Sequence, residues 1–196
     1  SELMDFMIRH FEEINEITAI AIAKAMQVEL ALKRNDIDKA QLLNKQLDSY
    51  ELIPPLWFVY VPQLTPVKLK LAINTAESIA EALQILAEIE KVLRQMNKKS
   101  TLIDVLILQT VALKAQKNEK DAIIKITEAL SLSSIGGSIR MYIDYGKEVK
   151  ELFAGLSESK ENNWHINLIL KAINERESEQ LKGIQIVQEK VVVPKS

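Results

Sequence analysis

Three stretches of the chain decide its fold: ALKRNDIDKAQLLNKQL (31–47), LAINTAESIAEALQILAEI (71–89) and ALKAQKNEKDAIIKITEAL (112–130). Each stretch reads as the end of one helix, a short polar turn and the start of a second helix. The alanines that match between the stretches, Ala40, Ala82 and Ala122, lie 42 and 40 residues apart. Helix pairs that recur at roughly this period are typical of α-solenoids, which bind along an extended surface. The sequence therefore predicts a recognition module.

The repeated alanines have a steric explanation. The two helices of a hairpin approach to about 8–10 Å, and small side chains at the crossing permit that approach. We expect Ala40, Ala82 and Ala122 to lie buried at the crossings. The alternative is that alanine recurs by chance in a helical chain that is rich in alanine.

Apolar residues follow a helical period along most of the chain, which predicts an all-α, tetratricopeptide-like superhelix of about three hairpins plus C-terminal helices. Asp36, Thr65 and Ser100 are predicted to cap the helices that follow them, and Gly136-Gly137 to end the last helix of the third hairpin. The expected helices are 3–33 with a break near 15–18, 37–47, 67–73, 77–96, 102–115, 120–132, 138–155 and 161–180.

Composition narrows the function classes. The net charge of −2 gives no basic surface for nucleic acid, so DNA could be contacted only through another domain. The absence of cysteine excludes disulfides and thiolate metal sites. The longest uncharged stretch, 52–67, contains four prolines, so no membrane span is expected. These features predict a cytoplasmic domain.

The chain divides into a helical-repeat sensor or interaction domain, 1–183, and a tail, 184–196. The tail is rich in β-branched residues and could form a lone strand, but no partner strand is evident, so we expect a linker. Both ends look cut from a longer polypeptide, and the linker would lead toward a missing C-terminal domain.

After the third hairpin the sequence continues as IGGSIRMYIDYG (135–146). Together with that hairpin, this segment resembles the sensor region of the large ATP-dependent LuxR-family transcriptional regulators, the group typified by the maltose-regulon activator. In the family this segment contains a glycine, an arginine, an aromatic residue, an aspartate and a second glycine. The matching residues here are Gly137, Arg140, Tyr142, Asp144 and Gly146. A tyrosine stands at 145, where the family usually has an acidic residue. Upstream, PQLT (62–65) and VKLKLA (67–72) are similar to the family's entry to a repeat, with valine at 67 in place of a small residue. The resemblance covers residues 18–156.

The resemblance implies a sensor segment that lies between an N-terminal NTPase region and a C-terminal helix-turn-helix DNA-binding domain. No phosphate-binding loop of the G-x-x-x-x-G-K-[ST] type occurs in the 196 residues. The implied partners are a small-molecule inducer or a regulatory protein, with a possible homo-oligomer and no cofactor in this segment. A helical-repeat scaffold for protein–protein contacts, unrelated to transcription, is the alternative.

Five residues are candidates for contacting a ligand or partner. Arg140, Tyr142 and Asp144 alternate, so on an extended segment they would point to one side and could hold a polar ligand. The alternative is that Arg140 and Asp144 pair with the solenoid or cap helix ends. Trp57 and Tyr60, in a proline-rich connection, could line the concave face or fill the gap beneath that connection.

No catalytic or metal site is predicted. The two histidines, His10 and His165, have no second ligand three or four residues away, whereas a catalytic zinc needs three protein ligands. No serine stands in a G-x-S-x-G turn. We therefore expect a protein that is not an enzyme.

Overall fold

The computed structural model describes residues 2–47, 62–134, 139–156 and 163–191. Within these ranges every regular element is an α-helix. The helices are α1 Glu2–Glu13, α2 Ile17–Lys33, α3 Ile37–Asn44, α4 Leu64–Ile73, α5 Ala76–Gln95, α6 Lys99–Ala115, α7 Glu119–Ser134, α8 Arg140–Asp144, α9 Gly146–Leu156 and α10 Asn163–Val191. None of the described helices combines the length and apolar character that crossing a bilayer requires.

Three antiparallel hairpins, α2–α3, α4–α5 and α6–α7, form the body of an all-α superhelix, as predicted. The first helices of successive hairpins pack directly on one another, α2 on α4 and α4 on α6. The helices α8 and α9 then pack on α6, and α10 packs on α7, α8 and α9. The inner layer of the array is therefore α2, α4 and α6, closed at one end by α8, α9 and α10.

The alanines of the repeat are buried, as predicted. Ala40, Ala82 and Ala122 each have no exposed surface. Ala40 lies in a small core with Val28 of α2 and Leu69 of α4. Ala82 and Ala122 belong to the main core, which extends from α4 to α10. The most buried element is α6, which is apolar nearly all round because it contacts helices on both sides.

Each of the three hairpin turns contains a residue with positive φ that is followed by a residue that caps the next helix. The first residue, Asn35, Asn74 or Lys117, adopts a left-handed conformation with φ of 56°, 57° and 60°. The second residue caps the next helix: the Asp36 side chain accepts from the Lys39 N–H, and the Thr75 side chain accepts from the Ser78 N–H. Asn118 accepts from the Asp121 N–H at 3.3 Å. A left-handed residue that ends one helix and a polar cap that starts the next reverse the chain within two or three residues.

Several expected helix ends were wrong. The helix α4 begins at Leu64, so Thr65 lies inside it and donates a hydrogen bond to Glu29 instead of capping. The helix α6 begins at Lys99, so Ser100 lies in its first turn. The helix α10 continues to Val191, so it does not end at 180 and residues 184–191 are helical and do not form a strand. The role of this tail as a linker stays a prediction. Gly136 and Gly137 lie outside the described residues.

A substitution at a crossing tests the packing. We expect Ala82→Leu to lower the free energy of unfolding by about 1–3 kcal/mol, because the larger side chain has no space in the core. Ala87→Leu, on the exposed face of the same helix, is the control and should change stability by less than about 0.5 kcal/mol. Urea denaturation followed by circular dichroism measures both. Equal effects of the two variants would contradict close packing at position 82.

The turn at Lys117 offers a second test. Lysine is the only residue other than asparagine with positive φ among the described residues, and its side chain disfavours that conformation. We expect Lys117→Gly to raise the free energy of unfolding by about 0.5–1 kcal/mol. The matched change Lys120→Gly, within α7, should lower it by about 1 kcal/mol. A destabilised Lys117→Gly variant in the same urea titration would rule out strain at this turn.

Candidate functional site

A groove of about 390 Å³ runs across the inner layer of the superhelix. Each of the first two inner helices contributes a triplet at spacing i, i+3, i+4, which lie on one helical face. The groove is lined by Glu29, Leu32 and Lys33 of α2, Lys68, Leu71 and Ala72 of α4, Val111 of α6, Asp144 of α8, Tyr145, Glu148 of α9 and Arg176 of α10. It therefore joins the first hairpin to the C-terminal helices.

Two ion pairs cross the groove walls. The Lys68 ammonium lies 2.7 Å from the Glu29 carboxylate, which also accepts a hydrogen bond from the buried Thr65 hydroxyl at 3.1 Å. The Arg176 guanidinium lies 2.5 Å from the Asp144 carboxylate. The first pair connects α2 to α4 and the second connects α10 to α8, so each links two helices that form different walls of the groove.

Tyr145 lies between α8 and α9, within the electrostatic reach of several carboxylates. Burial raises the pKa of its phenol above the ordinary range, and the charges of Glu29, Asp104, Asp144 and Glu148 raise it further. The Tyr145 hydroxyl makes no hydrogen bond with any described residue. The phenol therefore stays protonated in an environment that is rich in negative charge and offers it no partner.

Asp104 of α6 is a partly buried carboxyl group on the side of that helix that carries the groove residue Val111. It lies two helical turns before Val111, on the same side of the helix. Burial raises the pKa of its carboxyl to about 7, with Asp144 and Glu29 adding to the rise and Lys68 opposing it. Among the described residues no hydrogen bond donor satisfies this carboxylate. A carboxyl group with a pKa perturbed by burial, beside a groove, is a typical functional-site feature.

The structure separates the three candidates of the segment 140–144. They lie on the helix α8, within the expected helix 138–155, so they do not form the extended segment on which all three would point to one side. Arg140 is 80% exposed and lies 3.9 Å from Asp144, one helical turn later. Tyr142 points the other way and is fully buried. Asp144 alone lines the groove, and its pairing with Arg176 agrees with the structural alternative.

Tyr142 takes part in a buried polar cluster instead. The Ser133 hydroxyl lies 2.8 Å from the Tyr142 hydroxyl and 3.0 Å from Nε2 of His165. Burial lowers the pKa of His165, and its Nδ1 has no hydrogen-bond partner among the described residues. The cluster joins α7, α8 and α10, so it holds the C-terminal helices on the last hairpin. A ligand role of Tyr142 remains a prediction, as does that of Trp57 and Tyr60, which lie outside the described residues.

Gly146 has a packing role. A Cβ atom at this position would lie 2.7 Å from a methyl group of Ile173, so only glycine lets α9 begin this close to α10. This contact brings Arg176, one turn beyond Ile173, to the groove. The described part of the chain contains no group of three acidic or histidine side chains that could hold a metal ion.

Sequence reasoning missed Glu29, Lys68, Tyr145 and Arg176 as groove residues. Three of them, Glu29, Lys68 and Arg176, look like ordinary solvated charges, because their partners lie on helices that are distant in the sequence. A signal was available for Asp104, which is the single charge in the apolar run LIDVLIL (102–108). A lone carboxylate on a helix that is buried nearly all round must face either a partner or a cavity.

The family model described as the MalT-like TPR region matches residues 9–159, which include the three hairpins and the helices α8 and α9. No curated protein and no solved structure matches the chain significantly.

The perturbed carboxyl of Asp104 generates a prediction on stability. A carboxyl whose folded pKa lies above its unfolded pKa costs stability from the pH at which the unfolded chain ionises, so this penalty is absent below about pH 4, grows between about pH 4 and pH 7, and is complete above pH 7. We expect Asp104→Asn to raise the free energy of unfolding at pH 8 by on the order of 2 kcal/mol and to change it little at about pH 4. Urea titrations at both pH values measure the difference.

The control is Glu88→Gln, which removes an exposed carboxylate of α5 and should have little effect at either pH. A variant Asp104→Asn that is equally or less stable than the wild type at pH 8 would contradict the assignment of Asp104 as a carboxylate without a partner.

Proposed function

Because the chain belongs to the family of MalT-like TPR regions, we propose that it is the segment of a LuxR-type transcriptional regulator that senses a small molecule or a regulatory partner. In this proposal it acts by binding alone and is not an enzyme. It controls NTPase and helix-turn-helix domains elsewhere in a cytoplasmic regulator. DNA is contacted only by the helix-turn-helix domain.

The observation that carries the proposal is the groove itself. It is lined by α2, α4 and α6 and closed by the C-terminal helices, so one occupant would touch the first hairpin and the last helix together. Its volume lies within the range of small-molecule sites, and its lining combines apolar side chains with a few charged groups. These are the features of a site that positions a ligand.

The same arrangement provides a route for control. A ligand shifts a conformational equilibrium only by the difference in its affinity for the two states. An occupant that bridges α2 and α10 binds most tightly when these helices are at one particular distance. It would therefore favour one curvature of the superhelix, and α10 would transmit that change toward the C-terminal side of the chain.

A helical-repeat scaffold is the second candidate, and exposed apolar residues at the N-terminal end favour it. Leu3 and Phe6 of α1 are 65% and 61% exposed, and Ile14 and Ile17, at the turn from α1 to α2, are also exposed. Large apolar side chains that cluster on a surface mark contacts with other proteins. This surface is separate from the groove, so the two functions can be tested independently.

The test blocks the groove in the full-length regulator. Ala72 is an exposed groove residue, so Ala72→Trp should fill the groove without disturbing the core. We expect this variant to lose its transcriptional response to inducer in a reporter assay, at least tenfold, while the amount of protein is unchanged. Ala80→Trp, on an exposed face of α5 outside the groove, is the matched control and should respond normally.

A full response from Ala72→Trp would overturn the assignment of the groove as the sensing site. If that variant responds fully while replacement of Leu3 and Phe6 by serine abolishes binding of a partner protein, the scaffold function is correct instead.

A further inference from the structure

We propose that His165 makes the attachment of α10 to the third hairpin sensitive to protons: the neutral imidazole anchors the first turns of α10, and protonation of the imidazole releases them. The effector is the proton, and its site is the buried cluster of Ser133, Tyr142 and His165. None of these three residues lines the groove, so the proposal goes beyond the sensing function and does not rest on it.

The His165 imidazole is isolated from solvent. His165 and Tyr142 have no exposed surface, and Ser133 has almost none. The Tyr142 ring meets the imidazole edge-on, with the two ring centres 6.4 Å apart, and the next residue of α10, Ile166, belongs to the main core. An imidazolium ion in this position would lose its hydration, and a buried charge needs a counter-ion or hydrogen bonds to compensate for that loss.

The hydrogen atoms of the cluster are all in use when the imidazole is neutral. The Ser133 hydroxyl lies 3.1 Å from the carbonyl oxygen of Leu130. It also lies 2.8 Å from the Tyr142 hydroxyl and 3.0 Å from Nε2 of His165. A carbonyl oxygen only accepts, so the single Ser133 hydrogen is donated to Leu130. The Tyr142 O–H and the His165 Nε2–H then donate to the two lone pairs of Ser133 Oγ, which leaves Nδ1 of His165 as an acceptor.

An added proton has no partner in this arrangement. It would bind to Nδ1, which has no hydrogen-bond partner among the described residues. Protonated Nδ1 would be a buried donor without an acceptor, on a ring that carries a positive charge, and such groups are costly. The proton therefore binds when the imidazole leaves the cluster. Each such event breaks the hydrogen bond that joins α10 to Ser133 of α7.

The groups around His165 do not offset this cost. Tyr142 is the titratable group that faces the imidazole from α8, and burial raises the pKa of its phenol, so it stays neutral. Ser133 faces it from α7. Burial lowers the pKa of His165, and no charged group of α7, α8 or α9 contributes to that shift. The described part of the chain therefore supplies no counter-ion for the imidazolium.

The release is confined to the start of α10. Later turns of the helix are held on α8 and α9 by two ion pairs, Arg176 with Asp144 at 2.5 Å and Glu177 with Lys150 at 3.0 Å. Neither pair contains a histidine. The helix α10 therefore pivots on its contacts with α8 and α9, and its orientation relative to α7 depends on pH.

The test follows the protonation of His165 and the opening of α10 in the same 196-residue chain. NMR of the histidine ring protons from pH 8 to pH 4.5 should give a pKa for His165 below the ordinary value of about 6.5. Hydrogen exchange of the backbone amides is measured at pH 7.5 and pH 5. If only the released imidazole takes up a proton, the released population increases about thirtyfold between these two values.

We expect the protection factors of the amides of residues 167–170 to fall by about ten- to thirtyfold, and those of α5 to change by less than about threefold. Protonation of Asp104 over the same range acts in the opposite direction, because it removes a cost of burial, so it cannot produce this loss of protection.

Two variants separate the imidazole from other titrating groups. His165→Gln retains an amide donor for Ser133 and does not titrate, so protection at residues 167–170 should no longer fall at pH 5. His10→Gln removes the other histidine of the chain, which is exposed on α1, and is the matched control that should respond as the wild type does. Circular dichroism confirms that both variants are folded.

The proposal is wrong if His165 of the wild-type chain titrates with a pKa of about 6.5 or higher, or if its protonation leaves the exchange of α10 unchanged. A folded His165→Gln variant that keeps the acid response would also overturn it. The first two outcomes need no variant, so they decide the question if His165→Gln does not fold. The inducer response of Ala72→Trp is independent of all three outcomes and tests the groove alone.

Discussion

The close approach of neighbouring helices at small side chains is the constraint on which the rest of the molecule depends. Ala40, Ala82 and Ala122 have no exposed surface, and each allows a hairpin to close to the distance that α-helices need for packing. The hairpins then stack with their first helices in direct contact. Stacking of this kind places α2, α4 and α6 side by side, so one face of each helix contributes to the same groove.

The local features of this array could be predicted from the sequence because they depend on near neighbours. The turns Asn35-Asp36 and Asn74-Thr75 combine residues that tolerate positive φ with residues that cap helices. The prediction that the repeated alanines are buried was correct. Their register differs between hairpins, because Ala40 and Ala122 lie four residues after their caps and Ala82 lies seven residues after its cap. A step of three residues remains on the same helical face, so burial is preserved.

The features that were not predicted depend on residues far apart in the sequence. Threonine is a residue type that often caps helices, so Thr65 was expected to be a cap. Its hydroxyl instead donates a hydrogen bond to Glu29, 36 residues earlier, because tertiary packing overrides the capping preference. The segment 140–144 was identified as important from its resemblance to a family, yet its period of two was interpreted for an extended chain. Because it folds as a helix, Tyr142 enters the core while the groove receives Asp144.

Two carboxylates of the main body show how the fold distributes its charges. Burial alone would raise the pKa of Glu90, but hydrogen bonds from Lys125, Gln109 and Arg94 outweigh that effect and lower the pKa to about 2. Glu90 therefore stays charged at physiological pH and fastens α5 to α6 and α7, on the side away from the groove. Asp104, on α6, has the opposite shift because burial raises the pKa of its carboxyl and no hydrogen bond from a described residue offsets that effect.

The contrast between these carboxylates has a physical consequence for the whole array. In the outer layer Arg94 also pairs with Glu128, which extends the ion network around Glu90. Because the donors and acceptors of this network already have partners, a ligand would gain nothing from it. Asp104 of α6 differs, because burial raises the pKa of its carboxyl to about 7 and disfavours its charge. The inner layer therefore carries an electrostatic cost near neutral pH that the outer layer avoids through the hydrogen bonds of Glu90.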